Sequence, residues 1–226
     1  KGKYMYTHVT MVNFFETKDQ ADSAHRAETI LAKPRIYKKQ LEEIEKDLAG
    51  KKVQLDIDSK IIEDYLAKNN IKAVKTKWGT YVAVSVEGAG DKLNNTNIAT
   101  VNYTGRTLDS SLVFDSNIDP KFGHVQPYDV NLAELGGIIL GWTDALMQLK
   151  QGSKATIFVP SSLAYGASGN GEAIKPNANL IFDIEVTGSI TGEAYAGKAE
   201  AIQEEMMTQM QDGQNQTPDS PQEPGN

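Results

Sequence analysis

Residues Gly136 to Gly152 read GGIILGWTDALMQLKQG. A Gly-Gly pair opens the stretch, where the chain needs either a positive φ or a close backbone approach. Two β-branched residues, Ile138 and Ile139, run into Gly141-Trp142. Trp142, Ala145, Leu146 and Leu149 then fall at i, i+3, i+4 and i+7, one apolar face of a short helix. Gly152 marks its stop. A tryptophan in the first turn of such a helix is either the floor of a pocket or a core anchor. Composition alone favours the anchor; the flanking sequence decides.

On both sides the texture is one of short strands and turns. Thr80 to Val86 (TYVAVSV), Asn97 to Thr104 (NIATVNYT), a start or end at Leu112 to Phe114, Tyr128 to Leu132 (YDVNL), Lys154 to Val159 (KATIFV) and Leu180 to Val186 (LIFDIEV) read as strands. Gly88 to Asp91 and Ala167 to Gly171 read as turns or loops. Five or six strands around one short helix predict an α+β domain over 76–190, an antiparallel sheet wrapped around that helix.

Residues 1–75 read as a mostly helical N-terminal segment. Tyr4 to Phe15 fits strand or helix equally. Asp19 to Leu31 reads as helix, interrupted by Pro34, and Ile36 to Leu48 as a second helix ended by Gly50. Asp56 or Asp58 is expected to cap a further helix carrying Ile61, Ile62, Tyr65 and Leu66, closed by Asn69-Asn70. Residues 191–226 are expected to hold a short helix within Ala194 to Met210. A proline-rich polar tail follows that cannot form a core.

The 226 residues carry a formal charge of −7, which argues against a nucleic-acid partner, since phosphate binding needs clustered Lys and Arg. No run of 18 apolar residues exists to span a membrane. With no cysteine there is no disulfide, thiol nucleophile or thiolate metal site. His8, His25 and His124 are scattered, and surface or loop positions explain them better than a metal site. The chain starts at Lys1, as a processed or truncated product would.

The motifs, taken in order, resemble the FKBP-type peptidyl-prolyl isomerase family. Val101-Asn-Tyr-Thr-Gly105 is similar to its V-x-Y-T-G strand end, and Val113-Phe-Asp-Ser116 to its F-D-S motif. Pro127-Tyr128 stands where that family has Pro-Phe, and Gly137 to Trp142 resembles its V-I-x-G-W segment. Leu163-Ala-Tyr-Gly166 matches its L-A-Y-G turn, and Pro176 to Asp183 its P-N-x-x-L-x-F-D ending. Departures fall at Asp109-Ser110-Ser111, the longer Ala133 to Gly136 link, Asn170 and Lys175, all expected at the pocket rim.

The resemblance implies an apolar cup with Trp142 as floor beneath a proline ring and Phe114, Tyr128, Ile138 and Phe182 as walls. It implies a hydroxyl from Tyr165, a backbone donor from Ile139, and Asp115 beside Tyr103. It further implies isomerisation of Xaa-Pro bonds in protein substrates without a cofactor or metal, and binding of macrolide immunosuppressant-type ligands. The alternative is a non-catalytic chaperone or peptide-binding module using the same cup, and weaker still is a purely structural envelope protein. The helical segment resembles the extensions of bacterial envelope isomerases. Its apolar stripes are expected to pack either on the downstream domain or on a second copy of the chain, as a homodimer through those helices; a periplasmic or envelope location is implied, a cytoplasmic one being the alternative.

Overall fold

The computed structural model of the chain describes residues 16–198. It divides into two compact units, Lys1–Ile44 and Glu45–Asn226. Helix α1 spans Lys18–Gly50 and α2 spans Lys52–Lys68. Strands follow at Val74–Lys75 (β1), Tyr81–Val86 (β2), Asn97–Thr107 (β3), Val113–Ser116 (β4) and Tyr128–Asn131 (β5). Then come helix α3, Leu140–Leu146, and strands β6, Lys154–Val159, and β7, Leu180–Thr191. The strands form one sheet in the order β1-β2-β6-β7-β3-β4, with β5 also paired to β3. Every pairing is antiparallel.

Strand β3 is the hub. Along one edge it pairs with β7 from Asn97↔Thr191 to Thr107↔Leu180. Its other edge is shared: Ile98 to Val101 face β5, and Thr104 to Arg106 face β4. A register shift at Gly105/Arg106 bends the strand where β4 begins. Helix α3 buries Trp142, Ala145 and Leu146 against the sheet. Gly141 permits that approach, since a Cβ there would lie 2.3 Å from Val159 Cγ1. The segment between β1 and β2 is pinned to α3 by buried Asp144, which accepts from Thr76 Oγ1 and from the N–H groups of Trp78 (3.4 Å) and Thr80 (3.3 Å). Burial raises the Asp144 carboxyl above its usual range, against the pull of these hydrogen bonds.

The helical segment departs from the sequence reading in two ways. Pro34 lies inside α1 and does not interrupt it. A proline removes one donor and crowds one carbonyl, and the strong helix formers around it, such as Ala32, Lys33, Lys38 and Lys39, carry the helix through. Asp56 and Asp58 do not cap α2, which begins at Lys52. Asp58 is fully buried instead. Its Oδ2 accepts from Ser161 Oγ (2.7 Å), Ser162 N (3.2 Å) and Ser162 Oγ (3.1 Å), and its Oδ1 from Gln54 Nε2 (2.9 Å). Of the two packings open to its apolar stripe, α2 takes the one on the sheet domain. Ile62 and Leu66 share a core cluster with Tyr81, Leu108, Phe158 and Ile181, within the compact unit that runs from Glu45.

Residues 192–198 are helical. The rest of the short helix expected after residue 194, the polar tail, and the Tyr4 to Phe15 stretch lie outside the described residues. No described helix is long and apolar enough to cross a membrane.

Candidate active site

The concave side of the sheet, closed at its base by α3, holds a cleft of about 600 Å³. Alternation along the strands aims the side chains. In β7, Phe182 turns inward, while its neighbour Asp183 is exposed, pairs with Arg106 and accepts from Thr156 Oγ1 at 2.7 Å. Strand β3 contributes Tyr103, β4 contributes Phe114 and Asp115, and β5 contributes Tyr128. The lead into α3 supplies Ile138 and Ile139, the helix itself Trp142, and the turn after β6 supplies Tyr165.

The aromatic rings meet edge to face. Trp142 lies 5.0 Å from Tyr103 at 80° and 5.2 Å from Phe182 at 86°. Phe114 meets Phe182 at 5.7 Å and 86°, and Tyr103 meets Tyr128 at 6.5 Å and 73°. These perpendicular contacts are favourable for ring quadrupoles and fix each ring through its neighbour. Gly105, just past Tyr103, makes room for the pair behind the floor. A Cβ there would sit 2.7 Å from Phe182 Cε1 and 2.8 Å from Phe114 Cζ.

Polar groups are few. Tyr103 donates its hydroxyl to Asp115 Oδ2 at 2.7 Å, and Asp115 Oδ1 lies 2.9 Å from His124 Nε2. Burial, then the hydrogen bond to Asp115, pushes the Tyr103 phenol well above its usual range, so it remains a donor. Asn117 fixes the surroundings. It accepts from Tyr103 N (2.7 Å) and donates to Val101 O and Gln126 O, both at 3.0 Å. Among the described residues the Ile139 N–H has no acceptor and the Tyr165 hydroxyl makes no hydrogen bond. Both belong to residues that line the cleft and are available to a ligand. No three His, Cys, Asp or Glu among the described residues converge where a metal ion could sit.

All nine residues singled out in the sequence (Tyr103, Phe114, Asp115, Tyr128, Ile138, Ile139, Trp142, Tyr165 and Phe182) line this one cleft. Gly136, Gly137, Leu140 and Ala164 complete the lining and were not named. The Gly-Gly pair is therefore part of the wall, with Gly136 at φ 94° making its turn. Of the sequence departures, Asp109, Asn170 and Lys175 stand outside the lining. His124, read from the sequence as a surface or loop histidine, and Asn117, not singled out there, both stand beside the site; a lone loop histidine and one asparagine after F-D-S carry no periodic signal.

The site is thus an aromatic cup with one apolar floor, an open backbone donor and a single carboxylate. Residues 90–187 match the family described as FKBP-type peptidyl-prolyl cis-trans isomerase. Over 100 residues the chain is 37% identical to an FK506-binding protein of Neisseria meningitidis serogroup B, spanning 44% of this chain and 86% of that one. It is 40% identical over 126 residues to the FKBP-type peptidyl-prolyl cis-trans isomerase FkpA of Aeromonas hydrophila, spanning 55% and 44%. A probable FkpA of Neisseria meningitidis is 32% identical over 151 residues, spanning 67% and 52%. The crystal structure of a peptidyl-prolyl cis-trans isomerase from Pseudomonas syringae has a TM-score of 0.48 at 29% identity, spanning 59% of this chain and 94% of that one. The chain belongs to the FKBP-type peptidyl-prolyl cis-trans isomerase family. It spans about half the length of the longer curated relatives it matches.

Proposed function

We propose that this protein catalyses cis–trans rotation about Xaa-Pro bonds in protein substrates. The observation that carries the reading is Trp142, buried at the base of the cleft and held edge-on by Tyr103 and Phe182. A flat apolar floor of this kind suits a prolyl ring.

The barrier to be lowered is about 18–20 kcal/mol, set by amide resonance. No bond is made or broken, so the protein must only favour the twisted amide over the planar one. Twisting removes resonance, and the carbonyl oxygen loses negative charge. Apolar walls from Phe114, Tyr128, Ile138 and Phe182 favour that less polar state. Trp142 holds the ring while the preceding carbonyl swings. The Ile139 N–H anchors a substrate carbonyl on the far side of the rotating bond, and the Tyr165 hydroxyl is a second donor. Asp115, steadied by Tyr103, places negative charge near the turning carbonyl, which disfavours the planar, more dipolar amide. A millionfold acceleration corresponds to about 8 kcal/mol, within reach of these effects combined.

The same cup suits macrolide immunosuppressant-type ligands, which belong to this proposal, as does a homodimer through the N-terminal helices. Exposed Leu31 and Ile36 on α1, and Val53, Ile57 and Ile61 at four-residue spacing on α2, support the dimer. An envelope location rests on the resemblance of residues 1–75 to the extensions of envelope isomerases, and cell fractionation tests it. The decisive experiment is exchange NMR on an Ala-Pro peptide: accelerated exchange is expected. Binding without acceleration would reassign the cleft to a peptide-binding module.

A further inference from the structure

We infer that His124 is a positioning residue for this site. It orients the Asp115 carboxylate and makes the charge presented to the cleft depend on pH. The inference rests on reading the cleft as an isomerase site.

The geometry is a three-residue chain across three parts of the fold. Tyr103 in β3 donates to Asp115 Oδ2 (2.7 Å), and His124, in the loop between β4 and β5, takes Oδ1 (2.9 Å). Both carboxylate oxygens are thus committed, which fixes the carboxylate plane. The loop that carries His124 is itself held. Asn117 Nδ2 bonds Gln126 O at 3.0 Å, Phe122 N bonds Asp119 O at 3.2 Å, and Gly123 N bonds Pro120 O at 3.0 Å. His124 therefore sits on a braced turn rather than on a free loop.

Among the described residues, the other titratable groups that line the cleft with Asp115 are phenols. Tyr103 in β3 donates to Asp115, and Tyr128 in β5 and Tyr165 in the turn after β6 line the same cleft; the ordinary phenol range, about 10, lies above that of histidine. On the histidine's own loop, Asp119 and Lys121 pair with one another at 2.8 Å and cancel. Histidine is the side chain whose charge changes between about pH 5 and 8. A neutral imidazole bearing its proton on Nε2 orients Asp115 and leaves its charge intact. An imidazolium orients it equally well but offsets that charge. Because an uncompensated carboxylate disfavours the planar amide, turnover falls as pH drops. His124 and Asp115 are both partly exposed, so solvent limits the effect to about two- to fivefold.

The test is exchange NMR of an Ala-Pro peptide from pH 8 to 5.5 with wild type, His124→Gln, His124→Arg and His124→Ala, each checked for folding by circular dichroism. Wild-type efficiency is expected to fall about two- to fivefold on acidification. Gln, a neutral donor, gives a flat profile. Arg, a fixed charge, gives a flat profile near the acidic wild-type level. Ala, which releases Oδ1, gives a flat profile below that of Gln. A flat wild-type profile, or a Gln variant that keeps the wild-type slope, overturns the inference. A second readout needs no activity: the Tyr103 ring resonances should track pH across this range in wild type and not in His124→Gln. Tracking that persists in the Gln variant refutes the coupling. A wild type with no catalysis at any pH refutes the isomerase reading instead, and the ring resonances still decide whether the three residues are coupled.

Discussion

Replacing Asp58 with alanine tests whether α2 is part of the working domain. The carboxylate is fully buried and receives four hydrogen bonds, three of them from Ser161 and Ser162. In the alanine variant the two hydroxyls can turn elsewhere, but the Ser162 N–H cannot. One stranded backbone donor costs about 1–3 kcal/mol, and the lost charge-assisted bonds add to it. The expected loss is about 3 kcal/mol, the lower end for breaking a buried charged network. With an m value of about 2 kcal/mol/M, the urea midpoint falls by about 1.5 M. The Ser161–Leu163 turn leads directly into Tyr165, so kcat/KM should fall as well while the domain remains folded. Asp58→Asn keeps one acceptor and should lie between. A loss below about 1 kcal/mol would show that the helix merely rests on the sheet. By the same reasoning a 76–190 fragment, without Asp58, Ile62 and Leu66, is expected to unfold at lower urea than the intact chain.

The other predictions concern the cleft itself. Gly105→Ala drives a methyl into Phe182 and Phe114; it should cost about 1–3 kcal/mol by overpacking and weaken peptide binding, and a wild-type KM would refute the packing. Trp142→Phe keeps an aromatic floor but shrinks it, and should lower kcat/KM about tenfold with circular dichroism unchanged; wild-type turnover would remove Trp142 from the mechanism. Tyr103→Phe loses the bond to Asp115, and its effect should depend on pH. Because folding raises the Tyr103 phenol, its contribution is complete below the ordinary tyrosine value of about 10 and is lost as pH rises through the raised one. The wild-type advantage in urea should therefore be full at pH 7 and shrink above about pH 10; a difference that grows instead would contradict the sign.

Much of this was readable from the residues, for reasons that differ by element. β6 shows its alternation within six residues, and its bounds match the reading from Lys154 to Val159. β3 and β7 run past their expected ends, to Thr107 and Thr191, because glycines at 105 and 188 look like stops in a linear reading. In the sheet both glycines are paired positions, Gly105 with Phe182 and Gly188 with Thr100. The apolar face that marked a helix to Leu149 is real, yet regular helix ends at Leu146 and the last contact comes from a turn. The cup residues were found through ordered motifs; the brace around Asp115 was not, since Asn117 and His124 act through tertiary hydrogen bonds without periodicity. Asp58 misled for a related reason: an aspartate near a helix start suits an N-cap, and only the partners at 161 and 162, over a hundred residues on, make it worth burying.

The pairing of β3 with β7 also sets an order of assembly. It joins residues 97–107 to residues 180–191. During synthesis β3 emerges more than seventy residues before the strand that covers its long edge. Until β7 arrives, that edge offers unpaired backbone groups to any neighbouring chain. Pairings so distant in sequence close slowly, because loop entropy is lost before the contact forms. A nascent chain stalled before Leu180 would thus carry every cleft residue except Phe182 while lacking the strand that holds the sheet together, and it would be the species most prone to aggregate.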